Sequence, residues 1–186
     1  MCIRDSLHRE RALLIAEIHG AFKDVTREGG VSWTEAYAID DYTYSVDDNN
    51  VLDEERAKAR ALDKDISWQE LVDDPKWPPG PDFGGFSFLD AIGYRYYLPA
   101  TMIRDLRGLS PDHPIEQSSL GFHLAPRSSA EMNEYMEEQL ALLDQSQRRC
   151  VARYVRFMRD WYRVFTDWGY TERWAKAYDR YWAQYA

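Results

Sequence analysis

The side chains best placed to do chemistry are a few charged and phenolic groups in an otherwise apolar run. Residues 94–97 read Tyr-Arg-Tyr-Tyr, and Arg95 is the one charged side chain between residues 91 and 103. A guanidinium beside a phenol suits the grip of a carboxylate. On a strand, alternation sets Tyr94 and Tyr96 on one face and Arg95 with Tyr97 on the other. The candidate ligand or partner cluster is therefore Arg95, Tyr97, Asp90 and the acid pair Asp40 and Asp41. Adjacent carboxylates can raise one pKa enough for acid–base work, although acids next to each other in sequence more simply end a helix or face solvent. The expected partner of Arg95 is an acid of this same chain, Asp90 or one within residues 40–74.

Other chemistry finds no support. Gly-x-Ser-x-Gly, a phosphate loop ending in Lys-Ser/Thr and a His-Glu-x-x-His helix are all absent. Asp82-Phe83-Gly84 imitates a kinase triplet, but it follows prolines and lacks the companion lysine and His-Arg-Asp loop. His8, His19, His113 and His123 lack metal-ligand spacing, and Asp47-Asp48-Asn49-Asn50 lacks the spacing and glycine of a calcium loop. No catalytic residue, metal or cofactor is assigned.

The first six residues, Met-Cys-Ile-Arg-Asp-Ser, match the translation of a transposase end used to tag sequencing libraries. They are read as an adapter scar that replaces the natural N-terminus, and residues 7–186 as a single domain. Cys150 is then the only genuine cysteine, in keeping with a reducing compartment. No run reaches the roughly 18 apolar residues of a membrane span, so the expected location is cytoplasmic, away from membranes.

Net charge is −9, unevenly spread. Residues 40–74 hold twelve acids against four bases, and residues 145–186 nine bases against four acids. The two regions either complement each other within one fold or form solvated faces. The sharper alternative is an acidic surface that receives a partner protein with a basic surface. Overall acidity argues against nucleic acid.

Several elements can position these groups. Leu14, Ile18, Phe22 and Val25 share a helical face, predicting a helix from about Leu7 to Thr26 that stops at Gly29-Gly30. Ser32 and Glu35 form a capping box opening a short helix to about Asp41. Asp53–Leu62 resembles an exposed helix, and four prolines make residues 75–85 a loop. Phe86–Leu89 and Tyr94–Leu98 read as a hairpin whose turn, residues 90–93, takes a positive φ at Gly93, and Pro99 begins a helix carrying Met102, Ile103 and Leu106. Ser118–Leu124 and Gln139–Leu143 are expected as further strands. Asp144 and Gln147 cap a long helix with Val151, Tyr154, Val155, Met158, Tyr162 and Phe165 on one face, and Arg149, Arg153, Arg156 and Arg163 opposite. That helix is expected to end near Trp168-Gly169, and Thr171 to cap a last helix with an aromatic stripe. The expected fold is α+β: a small antiparallel sheet centred on the 86–98 hairpin, packed by N-terminal helices and two C-terminal amphipathic helices.

The run Phe88-Leu89-Asp90-Ala91, then Gly93-Tyr94-Arg95-Tyr96-Tyr97-Leu98-Pro99-Ala100, resembles the signature FLDxxGFRFYLPAYM of an uncharacterised bacterial family, domain of unknown function 6714. Gly30–Ala36 with Asp40-Asp41-Tyr42 is similar to its N-terminal block, and Ala59–Asp63 with Trp68 to the next. Leu143, Gln147, Val151–Val155 and Tyr181-Trp182 resemble its C-terminal helices. Tyr94 and Tyr96 stand where the signature has Phe, and Thr101 where it has Tyr. The resemblance implies no activity, cofactor or catalytic residue. Type alone suggests an analogy with small acidic immunity proteins. The expected function is a non-enzymatic protein-binding module; the alternative is a small enzyme or ligand binder with a cleft near Arg95, Asp90 and Asp40/Asp41.

Overall fold

Apolar spacing of three and four residues at both ends of the chain does produce helices in the computed structural model, which describes residues 3–43, 49–78, 85–110, 120–165 and 169–186. Helix α1 spans Ile3–Ala21 and buries Leu7, Leu14 and Ile18. It ends earlier than its apolar face suggests: Phe22 and Val25 are buried just beyond it, and the chain reverses through Glu28 (φ 44°) and Gly29 (φ 90°). The capping box then opens α2, Trp33–Thr43: the Ser32 N–H donates to Glu35 Oε2 at 3.1 Å and the Glu35 N–H to Ser32 Oγ at 3.3 Å. Helix α3 is Asn49–Arg60. Its Arg56 and Arg60 both reach the buried Glu35 carboxylate, at 3.0 and 2.9 Å, so one acid fastens α3 to α2.

The expected sheet is overturned. Among the described residues there is no strand, and every regular element is a helix. Helix α4 covers Trp68–Asp73, opened by Ser67-x-x-Glu70, a second Ser-x-x-Glu pattern that the sequence reading passed over. The supposed hairpin is two helices, α5 (Gly85–Phe88) and α6 (Ala91–Gly108). What reads as a turn is a helix cap: Asp90 Oδ1 accepts from the Gly93 N–H at 2.8 Å. Gly93 has no positive φ and serves close approach instead, since a Cβ there would lie 2.4 Å from the Val31 carbonyl oxygen. Pro99 lies inside α6 rather than at its start. The error has a physical source. Helix α6 is buried on nearly every side, with Tyr94, Tyr96, Tyr97, Leu98, Ala100, Met102, Ile103 and Leu106 all inside, and an unbroken apolar run carries no period to separate helix from strand.

The later strands are overturned as well. Leu120–His123 is α7, and Gln139 and Leu140 close α8, which runs from Ala130 to Leu140. Helix α9, Gln145–Phe165, opens on the expected Asp144–Gln147 cap: the Gln147 N–H donates to Asp144 Oδ1 at 2.8 Å. Its described part runs to Phe165, the expected boundary at Trp168 lying outside the described residues, and α10 runs Gly169–Arg180, so Thr171 is within that helix and not its cap. A 3-10 turn at Trp182–Tyr185 closes the chain. Residues 44–48, 79–84, 111–119 and 166–168 lie outside the described residues, and with them Asp47, Asp48, most of the proline loop, the Asp82–Gly84 triplet, His113, Ser118 and Trp168.

Helix α9 packs between α1 and α10, and α6 lies against α1, α4 and α8. The core is the contact of these elements, with Ile18 from α1, Leu98 and Met102 from α6, and Val151, Tyr154 and Met158 from α9. Charge is balanced locally rather than between the acidic and basic regions. Arg153 and Arg156 of α9 pair with Glu17 and Glu10 of α1. The acids of residues 40–74 meet other arginines, Arg27 on Asp65 and Arg107 on Asp73. Among the described residues no helix is long and apolar enough to cross a membrane.

Candidate functional site

The nominated cluster does not assemble. On a helix, residues two apart point about 200° from each other, so Arg95 and Tyr97 leave α6 on different sides. Asp90 Oδ1 accepts from both the Gly93 and Val31 N–H groups, at 2.8 and 3.0 Å, capping α6 and tying it to the segment before α2. Tyr97 is buried, and its hydroxyl accepts from the Trp33 N–H at 3.0 Å. Burial pushes that phenol's pKa up.

Half-buried Arg95 donates from Nε to Gln147 Oε1 at 3.0 Å. Gln147 in turn donates from Nε2 to the Ala21 carbonyl at 3.1 Å, joining α6, α9 and the end of α1. The expected ion pair of Arg95 with Asp90 or an acid of residues 40–74 is thus replaced by a hydrogen bond to a side-chain amide, with Asp144 close by. Backbone donation from Gln147, with a smaller contribution from Arg95, holds the Asp144 carboxyl below the usual range. Asp40 and Asp41 sit near the end of α2, and among the described residues no hydrogen bond or ion pair joins either to Arg95 or Asp90. Arg95, Asp90 and Tyr97 serve as joints between elements of the fold.

A different set of side chains converges where α7, the loop after it, α8 and α10 meet. A cleft of about 550 Å³ is lined there by Phe122, Arg127, Met132, Arg173 and Lys176, with the Ser128 hydroxyl and the single carboxylate of Glu172. Each wall has a local cause. The Asn133 amide brackets Arg127, accepting from its N–H at 2.7 Å and donating to its carbonyl at 3.3 Å, so the backbone of Arg127 is fixed to the first turns of α8. Ser129 caps that helix by accepting from the Met132 N–H at 3.3 Å. Helix α7 touches α10 at Gly121, where a Cβ would come within 3.2 Å of the Trp174 ring, and this contact brings Arg173 to the rim.

The electrostatics of the cleft are unbalanced. The Arg127 guanidinium lies over the Phe122 ring, 3.3 Å from its centroid. It is half-buried and, among the described residues, has neither an ion pair nor a hydrogen-bond acceptor. Burial, opposed by Tyr94 and reinforced by Arg173, lowers its pKa. Other clefts of similar size contain their own counter-ions: Glu17 with Arg153, Asp160 with Arg159, and Asp65 with Arg27. Among its described lining residues the Arg127 cleft carries an excess of positive charge.

Behind Arg127 lie Tyr94, whose buried hydroxyl has no partner among the described residues, and His123, which is 5% exposed. Burial, with the charge of Arg127 second, pushes the His123 pKa down to about 3. Such an imidazole has little affinity for a proton at neutral pH and makes a weak general base. A pH prediction follows. Between pH 6.5 and 3 the unfolded chain binds a proton at His123 and the folded chain does not, so stability falls as pH falls through this window. Going from pH 7 to pH 5, this one site removes about 2 kcal/mol. Urea midpoints of wild type and His123→Phe at both pH values test it: the variant should lose correspondingly less, and an unchanged difference would refute the assignment.

None of the cleft residues was nominated from sequence. Arg127 lies in a short polar linker, and Arg173 and Lys176 lie off the aromatic stripe of α10, where they look like ordinary solvated charge. No local signal marks them, because α7, α8 and α10 meet only through tertiary packing.

A family of unknown function (DUF6714) matches residues 10–186, as the Phe88–Ala100 run led one to expect. No curated protein and no solved structure matches the chain. The match extends over nearly the whole chain, through the α6 run and the cleft alike, and the chain belongs to this family of unknown function.

Proposed function

We propose that the protein is a non-enzymatic binding module whose working surface is the basic cleft between α7, α8 and α10, and that it receives an anionic group there. One observation carries this reading: a half-buried arginine, Arg127, has no acceptor among the described residues and stands beside two further cations. Leaving a partly desolvated guanidinium unanswered costs free energy that an incoming anion recovers. Of the groups named from sequence, Asp90 is occupied as a cap and Tyr97 as a joint, and the imidazole near the cleft is a poor base. The expected acidic docking face has less to offer, since Asp63 accepts from Thr34, and Asp65 and Asp73 hold arginines of this chain.

Thermal unfolding in the presence of aryl and alkyl acids tests the reading. A ligand at a hundred times its Kd adds about 2.7 kcal/mol, worth roughly 6–10 °C in a domain of this size. Wild type should show such a rise with at least one anion, and Arg127→Gln should lose it. No rise with any anion, or a rise that persists in Arg127→Gln, would overturn the proposal.

A further inference from the structure

We propose that the anion taken by this cleft is a phosphate monoester bearing a flat apolar group, held as its dianion among Arg127, Arg173 and Lys176. This rests on the reading above that the cleft is the binding surface. It adds the chemical class of the ligand.

Charge selects the head group. Among the described residues, three cations against one carboxylate, Glu172, leave two positive charges lining the cleft. A carboxylate or a sulfate ester brings one negative charge and leaves the site unbalanced. A phosphate monoester brings nearly two at neutral pH, with three acceptor oxygens. Guanidinium groups present planar forks of donors that match such oxygens two at a time, and the Ser128 hydroxyl is a further donor on the same wall. Phosphodiesters, with one charge per phosphate, fit less well.

Geometry prepares Arg127 for this role. Its backbone is bracketed by Asn133 and its guanidinium is stacked on Phe122, so little side-chain freedom remains to be lost on binding. Its guanidinium N–H groups have no acceptor among the described residues and are free to donate to a ligand.

The apolar part of the ligand follows from the other wall. Phe122 and Met132 are each 45% exposed, unusual for side chains of their size in this protein, and both line the cleft beside Ala125 and Pro126. An exposed apolar rim around a charged centre suits a ligand with one strongly anionic end and one apolar end. The cleft, at about 550 Å³, has the capacity of a small-molecule site. A free organic phosphate and the phosphorylated side chain of a peptide share this chemistry.

Calorimetric titration at pH 8 of the full chain with phenyl phosphate, phenyl sulfate, benzoate, inorganic phosphate and a phosphotyrosine pentapeptide decides the matter. Phenyl phosphate should bind at least tenfold more tightly than phenyl sulfate or benzoate, and more tightly than inorganic phosphate. Arg173→Ala should weaken it at least tenfold while leaving the urea midpoint unchanged, since Arg173 is an exposed helix position. A peptide that outbinds phenyl phosphate supports the monoester and identifies a phosphorylated side chain as its source; a peptide that binds less well supports it as a free organic phosphate. Equal affinity for phenyl sulfate or benzoate, still dependent on Arg173, overturns the dianion and leaves the cleft as the binding surface. Inorganic phosphate binding as tightly as phenyl phosphate overturns the apolar component. If none of the five binds, both this inference and the reading beneath it fall.

Discussion

Substituting alanine for Gly93 is expected to destabilise the fold by about 3 kcal/mol, the upper end of what overpacking costs. Helix propensity alone argues the other way, because alanine is favoured over glycine within a helix by about 1 kcal/mol. Contact decides the sign. A Cβ at Gly93 would stand 2.4 Å from the Val31 carbonyl oxygen, with Asp90 Oδ1 and Leu89 Cδ2 each at 3.1 Å. The first of these is backbone and cannot rotate away. Relief requires the 30–31 segment to lift from α6, which breaks the Val31 N–H to Asp90 bond and disturbs the approach to the α2 cap. Gly30 faces the same crossing from the other side, where a Cβ would lie 2.6 Å from the Ile92 Cβ. Urea denaturation measures the effect, and a Gly93→Ala variant as stable as wild type or more so would mean that the two segments are not locked together. With total stabilities of 5–15 kcal/mol usual for folded domains, the predicted loss is a large share.

Trp33→Ala should cost more, about 4 kcal/mol. Trp33 is 2% exposed at the start of α2 and joins several elements through ring contacts: Tyr97 of α6 at 5.2 Å, Phe86 of α5 at 5.2 Å and Trp77 at 5.3 Å, all edge-on. The backbone at Gly85 is packed directly on it, since a Cβ there would fall 2.6 Å from the indole carbons. Neighbours held so rigidly cannot collapse into the space an alanine leaves, and unrelieved cavities set the upper range of such losses. The indole N–H is buried and has no partner among the described residues, so Trp33→Phe removes volume without removing a hydrogen bond. That variant should lose about 1–2 kcal/mol, between the two extremes. Finding Trp33→Ala within 1 kcal/mol of wild type would show that the aromatic cluster does not bear on stability.

These two residues explain why the α6 region misleads when read from sequence. Gly93 in Asp-Ala-Ile-Gly carries the composition of a tight turn, yet its lack of a side chain serves the passage of a distant segment, the one at Val31. That use of glycine depends on a contact 62 residues away in sequence, between positions 31 and 93, and leaves no local mark. Tyr94–Leu98 likewise has the aromatic density of a strand, but its aromatic rings are distributed around a helix enclosed by neighbouring elements, and enclosure erases the polar face that would reveal the period.

Where α9 sets an apolar side against a charged one, the sequence was sufficient. Helix α9 alternates its apolar stripe with arginines, and both the Ser32–Glu35 and Asp144–Gln147 caps are local pairs three residues apart whose bonding needs no tertiary partner. Family membership was legible for a similar reason, since it lies in contiguous runs. Tertiary structure alone decided the rest. It enclosed α6 on nearly every side, turned Arg95 onto Gln147 instead of an acid, and occupied Asp90 and Tyr97 as joints. It also brought Arg127 together with Arg173 and Lys176 across 46 and 49 residues of chain. Charges so far apart in sequence show no pattern as a string, and they share one cleft where Gly121 lets α7 pack closely on α10.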